Sequence, residues 1–313
     1  MARFLVRRLL SVVPVLLVVA IIVFLALRLG PGDPAAILAG DSATPEMIAA
    51  LRAHLGLDRS IPEQFLHWAL QIARGDLGRS ITSNQPVLTL VVSRLQPTLT
   101  LAAATILFSI VIAIPLGVLA AWRRGTWLDT LASGGAVIGF ASPAFVTGYL
   151  LVFLFSLKLQ WLPVQGFTPL SEGFWPFLRH LILPTLTLST VYIALIMRVT
   201  RASLLEILGE DFVRTARAKG LPERIVLFRH ALGNSAVPIL SIVGIGIAIL
   251  LGGVVVTESV FNLPGLGRLT VEAVIARDYP VVQGIVILFS GVYVLINLAI
   301  DITYAIFDPR ITY

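Results

Sequence analysis

The chain contains no cysteine, which excludes disulfides, thiolate catalysis and cysteine-held metal sites. Charge is scarce as well: 13% of its 313 residues are Asp, Glu, Lys or Arg, against 57% that are hydrophobic. With a mean hydropathy of +0.94, it carries more apolar surface than a soluble core of this size can hide, which makes it an integral membrane protein. No basic run is interleaved with aromatics on a polar domain, so the net charge of +6 does not signal nucleic acid. There is no G-x-x-x-x-G-K-[ST] loop to cradle ATP phosphates and no H-E-x-x-H helix. His54, His67, His180 and His230 are scattered over different loops. Neither ATP hydrolysis nor a metal centre is therefore expected in this chain, and no nucleophile and base stand at membrane depth as an embedded enzyme would need. The absence of a low-complexity tract or an internal repeat weighs against inverted-repeat carriers.

What is present is a series of apolar runs long enough to cross a bilayer. The expected fold is all-α, with six spans at about 9–28, 99–121, 131–157, 181–200, 237–256 and 281–307. The first run follows Arg3, Arg7 and Arg8; its Leu, Ile, Val and Phe residues, at about −0.3 to −0.6 kcal/mol each, favour insertion. It is long for a signal-peptide core and lacks an A-x-A-like cleavage site, so it is expected to stay in the protein. Residues 29–97 form the longest loop, opened by the rigid turn Pro31-Gly32-Asp33-Pro34. In it Thr44-Pro45-Glu46 starts a helix that Gly56 can end, and Pro62-Glu63 starts another that runs to Arg74 before Gly75. Gly75-Asp76-Leu77-Gly78 reads as a turn, and Val87 to Leu95 leads back to the membrane. Small residues recur on one face of the third span (Gly135, Gly139, Pro143) and of the fifth (Gly244, Ala248, Gly252), as close helix contacts require.

Six spans put both termini on one side. Arg3, Arg7, Arg8, Arg123, Arg124, the basic residues from Arg198 to Arg229 and Arg310 group on that side. The short opposite loops hold only Lys158, Arg179, Arg268 and Arg277. The positive-inside rule then assigns both termini, and the loop 201–236, to the cytoplasm, and the helical loop 29–97 to the exterior. Trp122 beside Arg123 and Arg124 fits one interface, and Trp161 and Trp175 fit the other.

The loop 201–236 is the longest polar interruption on the cytoplasmic side, and it reads as two short helices hinged at a glycine. Glu210 and Asp211 can cap the first helix and suit its positive end. Gly220 can take the left-handed conformation that stops it. Pro222 stands where the second helix can begin, with Ile225, Phe228 and Leu232 on one face. A compact charged hairpin of this kind is a handle for another protein.

The segment Glu210-Asp211-Phe212-Val213-Arg214-Thr215-Ala216-Arg217-Ala218-Lys219-Gly220, followed by Pro238, resembles the coupling loop of ABC importer permeases. That loop opens on a Glu-Ala-Ala triplet six residues before its glycine. Arg214, Thr215 and Ala216 stand there instead, a departure shared by the first-subunit permeases of the dipeptide, oligopeptide and nickel branch. Pro31-Gly32-Asp33-Pro34, Gly75-Asp76-Leu77-Gly78, Pro264-Gly265-Leu266-Gly267-Arg268, Asp278-Tyr279-Pro280-Val281-Val282-Gln283 and Asp308-Pro309-Arg310 match in family order along essentially the whole chain. The resemblance implies a type I importer permease in a bacterial or archaeal inner membrane, forming half of a translocation pore. It implies a second related permease, two cytoplasmic ATPase subunits or domains that hold ATP and Mg, and an external substrate-binding protein; membrane lipid is the other partner. Glu210, Asp211, Arg214, Thr215, Ala216, Arg217, Lys219 and Gly220 are the ATPase-coupling residues it implies. Dipeptides or oligopeptides are the implied cargo, with glutathione, nickel chelates or saccharides as alternatives.

An ion-coupled carrier is the competing reading. Asn297 and Asp301 share a face of the sixth span, and an acid within a span raises a functional question. Asp301 stands near the cytoplasmic end, where water or an arginine such as Arg198 can pair with it, and the sequence pattern shows no second buried acid. Ser142, Thr185, Thr187 and Ser189 can line a path or simply pack. The importer reading predicts uptake that stops when ATP is depleted. Uptake indifferent to ATP but abolished in Asp301→Asn would identify a carrier instead.

Overall fold

The computed structural model describes residues 2–28, 35–36, 43–54 and 56–307. Among them there is no strand, only an isolated bridge between Arg79 and Pro86. The turn expected at Pro31–Pro34 and the motif at Asp308–Arg310 lie outside the described residues. In chain order the helices are α1 (Ala2–Arg28), α2 (Pro45–His54), α3 (Ile61–Ala73), α4 (Val87–Trp122), α5 (Trp127–Ala141), α6 (Ala144–Lys158), α7 (Phe174–Ile207), α8 (Asp211–Ala218), α9 (223–234), α10 (Ala236–Val260), α11 (Leu266–Ile275) and α12 (Tyr279–Phe307). Among the described residues α4, α7, α10 and α12 are each long and apolar enough to cross a membrane. The bent pair α5–α6 makes a fifth crossing if it counts as one, and the apolar part of α1, Ser11–Ala26, is shorter.

Several helix bounds differ from those expected. Val87 is not a lead-in to the second span but the start of the same helix, which runs unbroken through Pro97 and Pro115. Its 36 residues reach roughly 54 Å, well beyond a hydrocarbon core of about 30 Å. The expected third span is broken instead: α5 and α6 meet at 105°. Ser142, pushed out of helical geometry by Pro143, is extended at φ −80°, ψ 121°. Trp175 and Arg179, expected in a loop, already lie in α7, and Arg201 continues α7 rather than opening a loop.

The chain divides into two compact units. The larger, Arg94–Leu269 with Leu295–Tyr313, is built around α7. Leu183, Leu188, Tyr192, Ala194, Ile196 and Met197 of α7 are buried with Leu101 and Ala113 of α4, Ala136 of α5, Val152 of α6 and Leu250 and Val254 of α10. In lipid, packing one apolar side chain against another releases no water, so close fit holds such helices together. The fit is made at glycines. A Cβ on Gly139 would stand 3.0 Å from the Thr190 methyl, and one on Gly148 3.2 Å from Val260. One on Gly253 would stand 2.9 Å from Leu188. The expected small-residue faces are only partly used, since Gly135 and Gly252 face open space. Helix α10 meets α7 at Gly246 and Gly253 and meets Ile300 of α12 at Gly244, so its contacts follow two neighbours rather than one stripe.

The smaller unit, Met1–Ser93 with Thr270–Val294, holds α1 to α3. Helix α2 starts where Thr44 Oγ1 accepts from the Met47 N–H at 3.3 Å. Helix α3 starts where the Glu63 carboxylate reaches back to the Ser60 N–H at 3.2 Å. Gly56 and Gly75, at φ +65° and +82°, follow them as expected. In the turn 75–78 the Asp76 carboxylate accepts from the Gly78 N–H at 2.9 Å.

The glycine contacts generate a paired expectation. Gly117→Ala would set a methyl 2.7 Å from Thr200 Cβ and 2.9 Å from the Met197 carbonyl oxygen, overpacking that costs about 1–3 kcal/mol. Gly135→Ala, in open space, removes a flexible helix glycine and gains up to about 1 kcal/mol. Thermal unfolding in detergent should therefore fall for the first and hold or rise for the second; equal shifts would contradict the packing described.

Candidate functional site

The hairpin that follows α7 forms as its residues dictate. Glu210 is extended at φ −73°, ψ 150° and leads into α8, although its side chain makes no capping hydrogen bond. Lys219 closes the helix, Gly220 turns the chain at φ +76°, and Pro222, extended at φ −64°, ψ 142°, precedes α9. Helix α9 is wound as a π-helix over Val226–Ala231. The two arms share a small core of Val213, Ala216 and Val226, against which Ile207, Leu208 and Leu221 pack. Arg217 bridges the hinge with a forked pair to Glu223, at 2.7 and 3.3 Å. That carboxylate raises the guanidinium further above its ordinary value, so Arg217 keeps its charge.

The eight expected coupling residues thus lie together but do different things. Glu210, Asp211, Arg214, Thr215, Arg217, Lys219 and Gly220 are exposed, whereas Ala216 faces inward. Arg214 pairs with Asp211 at 2.8 Å on an open surface, where such pairs contribute under about 1 kcal/mol. Ala216 must be small because α9 lies over it. Sequence reasoning passed over the exposed apolar residue between the charges, Phe212, at 41%. The expected apolar face of the second arm is displaced: Ile225 and Phe228, at 39% and 58%, are both exposed, and the π-helical turn buries Val226, Leu227 and Ala231 instead.

The hairpin hangs on the ends of two long helices. Ala231 is buried with Val118 and Ala121 of α4 and Leu204 of α7, and Leu205, Ile207, Leu208 and Leu232 pack around them. At the same end, Arg201 of α7 grips Asp129 of α5 through two bonds, Nε to Oδ1 at 2.6 Å and Nη2 to Oδ2 at 2.8 Å. The Gly125 N–H adds a third to that carboxylate at 3.0 Å. A push on the hairpin therefore reaches α4, α5 and α7 through packed or doubly bonded contacts.

Two further acids tie helix ends. Glu258, the last acid of α10, is fully buried, contrary to the expectation of no second buried acid. It accepts from Thr98 Oγ1 at 2.5 Å and from the Arg268 N–H at 3.0 Å, while the Leu266 N–H donates to Thr98 Oγ1 at 2.8 Å. The first turn of α11 thus closes over a carboxylate, the charge that a helix N-terminus favours. This accounts for Pro264-Gly265-Leu266-Gly267-Arg268: a Cβ on Gly265 would collide with the Glu258 carboxylate, and one on Gly267 would stand 2.6 Å from Val255 Cα. Asp278, before α12, accepts from Ser80 Oγ at 2.5 Å, the Ile81 N–H at 3.0 Å, and the Thr82 N–H and Oγ1 at 3.2 and 2.9 Å. The segment Ser80–Thr82, just after Gly-Asp-Leu-Gly, and the Asp-Tyr-Pro motif are two sides of one contact. Only an acid at the end of an apolar run signalled Glu258 in the sequence.

Asn297 and Asp301 both engage other groups, while Arg198 is exposed. Thr185, Thr187 and Ser189 are buried on α7, and Ser189 reaches the Thr105 carbonyl of α4 at 3.5 Å. Ser142 marks the break between α5 and α6. Among the described residues no group of His, Asp and Glu is arranged to hold a metal ion.

Residues 113–313 match the family described as binding-protein-dependent transport system inner membrane component. Residues 1–102 match the N-terminal membrane component of such systems. The probable peptide ABC transporter permease protein y4tP of Sinorhizobium fredii (strain NBRC 101917 / NGR234) is 50% identical over 313 residues, covering all of both chains. The glutathione transport system permease protein GsiC of Escherichia coli (strain K12) is 42% identical over the same full lengths. An inward-facing structure of the MetNI methionine ABC transporter superposes with a TM-score of 0.59 at 20% identity, covering 71% of this chain and 97% of that one; that likeness concerns the fold alone.

The Glu258 clamp lends itself to a double-mutant cycle. Glu258→Ala leaves buried donors unpaired, at about 1–3 kcal/mol, and Gly265→Ala displaces the same carboxylate, at about 1–3 kcal/mol. Because both disrupt one contact, their combined loss of thermal stability should be smaller than the sum. A strictly additive loss would show that the carboxylate and the glycine act separately.

Proposed function

Because the chain belongs to the family of binding-protein-dependent transport system inner membrane components and is a membrane permease subunit of an ABC importer, we propose that it forms half of a pore for dipeptides or oligopeptides and is driven through the hairpin Glu210–Gly220. It is a multi-pass protein of the bacterial inner membrane. On this reading α1 and the bent pair α5–α6 each cross once, giving six spans. Both termini and the hairpin then face the cytoplasm, and the loop with α2 and α3 faces outward. A second permease completes the pore, a binding protein delivers cargo from outside, and two ATPase subunits or domains bring ATP and Mg. Peptide is favoured because one full-length relative carries that word in its name and another names glutathione, itself a tripeptide.

The observation that carries the proposal is the hairpin itself. It is exposed, internally braced by Arg217–Glu223, and packed directly onto the ends of α4 and α7. Energy from ATP reaches the spans only if the ATPases contact the permease differently in two states. A stiff lever whose root is buried among span ends converts such a difference into helix motion, whereas a solvated loop would absorb it. Phe212 supplies the apolar anchor and the surrounding charges supply register.

Gly220→Val forces a β-branched residue to φ +76°, at a cost of about 1–2 kcal/mol. Ala216→Asp puts a charge into the hairpin core. Both variants should reach the membrane in normal amounts yet lose ATPase copurification and uptake. Normal copurification and normal uptake in both would overturn the assignment.

A further inference from the structure

Helix α3 (Ile61–Ala73) is more apolar than its packing within the chain requires. On a helical projection its residues fall into three arcs. Phe65, Trp68 and Ile72 face α1, where Phe24, 1% exposed, meets the rings of Phe65 and Trp68 at centroid distances of 5.4 and 5.5 Å. Glu63, Gln64, His67 and Gln71 form a polar arc. Between them runs a third arc of Pro62, Leu66, Leu70 and Ala73, all exposed, with Leu66 at 61% and Leu70 at 48%. It contains no charged group.

Phe24 fixes the depth at which α3 is held. It lies in the apolar stretch Ser11–Ala26, four residues before Arg28, the last residue of α1, and hence about 6 Å below it along the axis. The helix is thus fastened at the rim of the hydrocarbon layer. Lower on α1, Leu17, Val18, Ile21 and Ile22 are exposed, as lipid-facing residues are. We propose that α3 lies in the interfacial layer of the bilayer on its own side, with Leu66 and Leu70 among the acyl chains and the polar arc towards water. An apolar arc continuous with a membrane-embedded contact, set beside a polar arc along the helix, is the pattern of an interfacial helix. The lipid surface is then the partner of this face. It holds the loop flat against the membrane and braces the end of α1.

The cysteine-free sequence makes the test direct. Leu66→Cys, Leu70→Cys and Gln71→Cys are each labelled with an environment-sensitive fluorophore. The whole transporter, its partner chains also freed of cysteine, is placed in liposomes with or without acyl-brominated lipid. Labels at 66 and 70 should lose most of their emission in brominated liposomes and resist aqueous iodide, while the label at 71 should respond to iodide and little to bromine. Iodide quenching at 66 and 70 equal to that at 71, without a bromine response, would overturn the proposal. So would shielding of 66 and 70 that arises only when the binding protein is added, because a protein would then occupy the face.

Discussion

Within a bilayer, water cannot satisfy backbone N–H and C=O groups, so each span must close its own hydrogen bonds. Two departures from regular helix stand beside close contacts with neighbouring segments. The break at Ser142–Pro143 lies between Gly139 and Gly148, which press α5 and α6 onto Thr190 of α7 and Val260 of α10. The irregular turn at Gly265 closes over the Glu258 carboxylate. The same constraint lets α7 act as the central strut, because apolar contact alone gives little preference between lipid and protein. Glycine-mediated approach and the few buried polar ties then decide which helices stay together.

The acidic ties sit at helix ends. Asp129–Arg201 joins α5 to α7 beside the hairpin. Glu258 joins the far end of α10 to α11, and Asp278 joins the loop 80–82 to the start of α12. A pair of charges costs less to hold near an end than at mid-bilayer. On the reading proposed above, the push enters from another chain, and the hairpin, packed onto the ends of α4 and α7, offers it a stiff root.

Local chemistry was legible in the sequence, and long-range choices were not. Gly56, Gly75 and Gly220 end or turn helices where their freedom at positive φ is needed, and the resemblance to permeases extends along the whole chain. The prolines were harder. Pro97, Pro115 and Pro184 are tolerated inside helices while Pro143 breaks one, and what separates them is tertiary packing around each turn, which no short window contains. Glu258 looked unremarkable because its partner Thr98 is 160 positions away. Ala216 could be placed on the hairpin from sequence, but whether it faces a partner or the second arm depends on how the arms pack.

The central claim is that this chain is a pore half driven by ATP through other subunits. The most direct measurement reconstitutes it in liposomes with its second permease and ATPases, and follows ATP hydrolysis and peptide accumulation together as loaded binding protein is added. The account predicts that a peptide-loaded binding protein stimulates hydrolysis and that accumulation follows it. Accumulation driven by a proton gradient without ATP, with hydrolysis indifferent to the loaded binding protein, would contradict it.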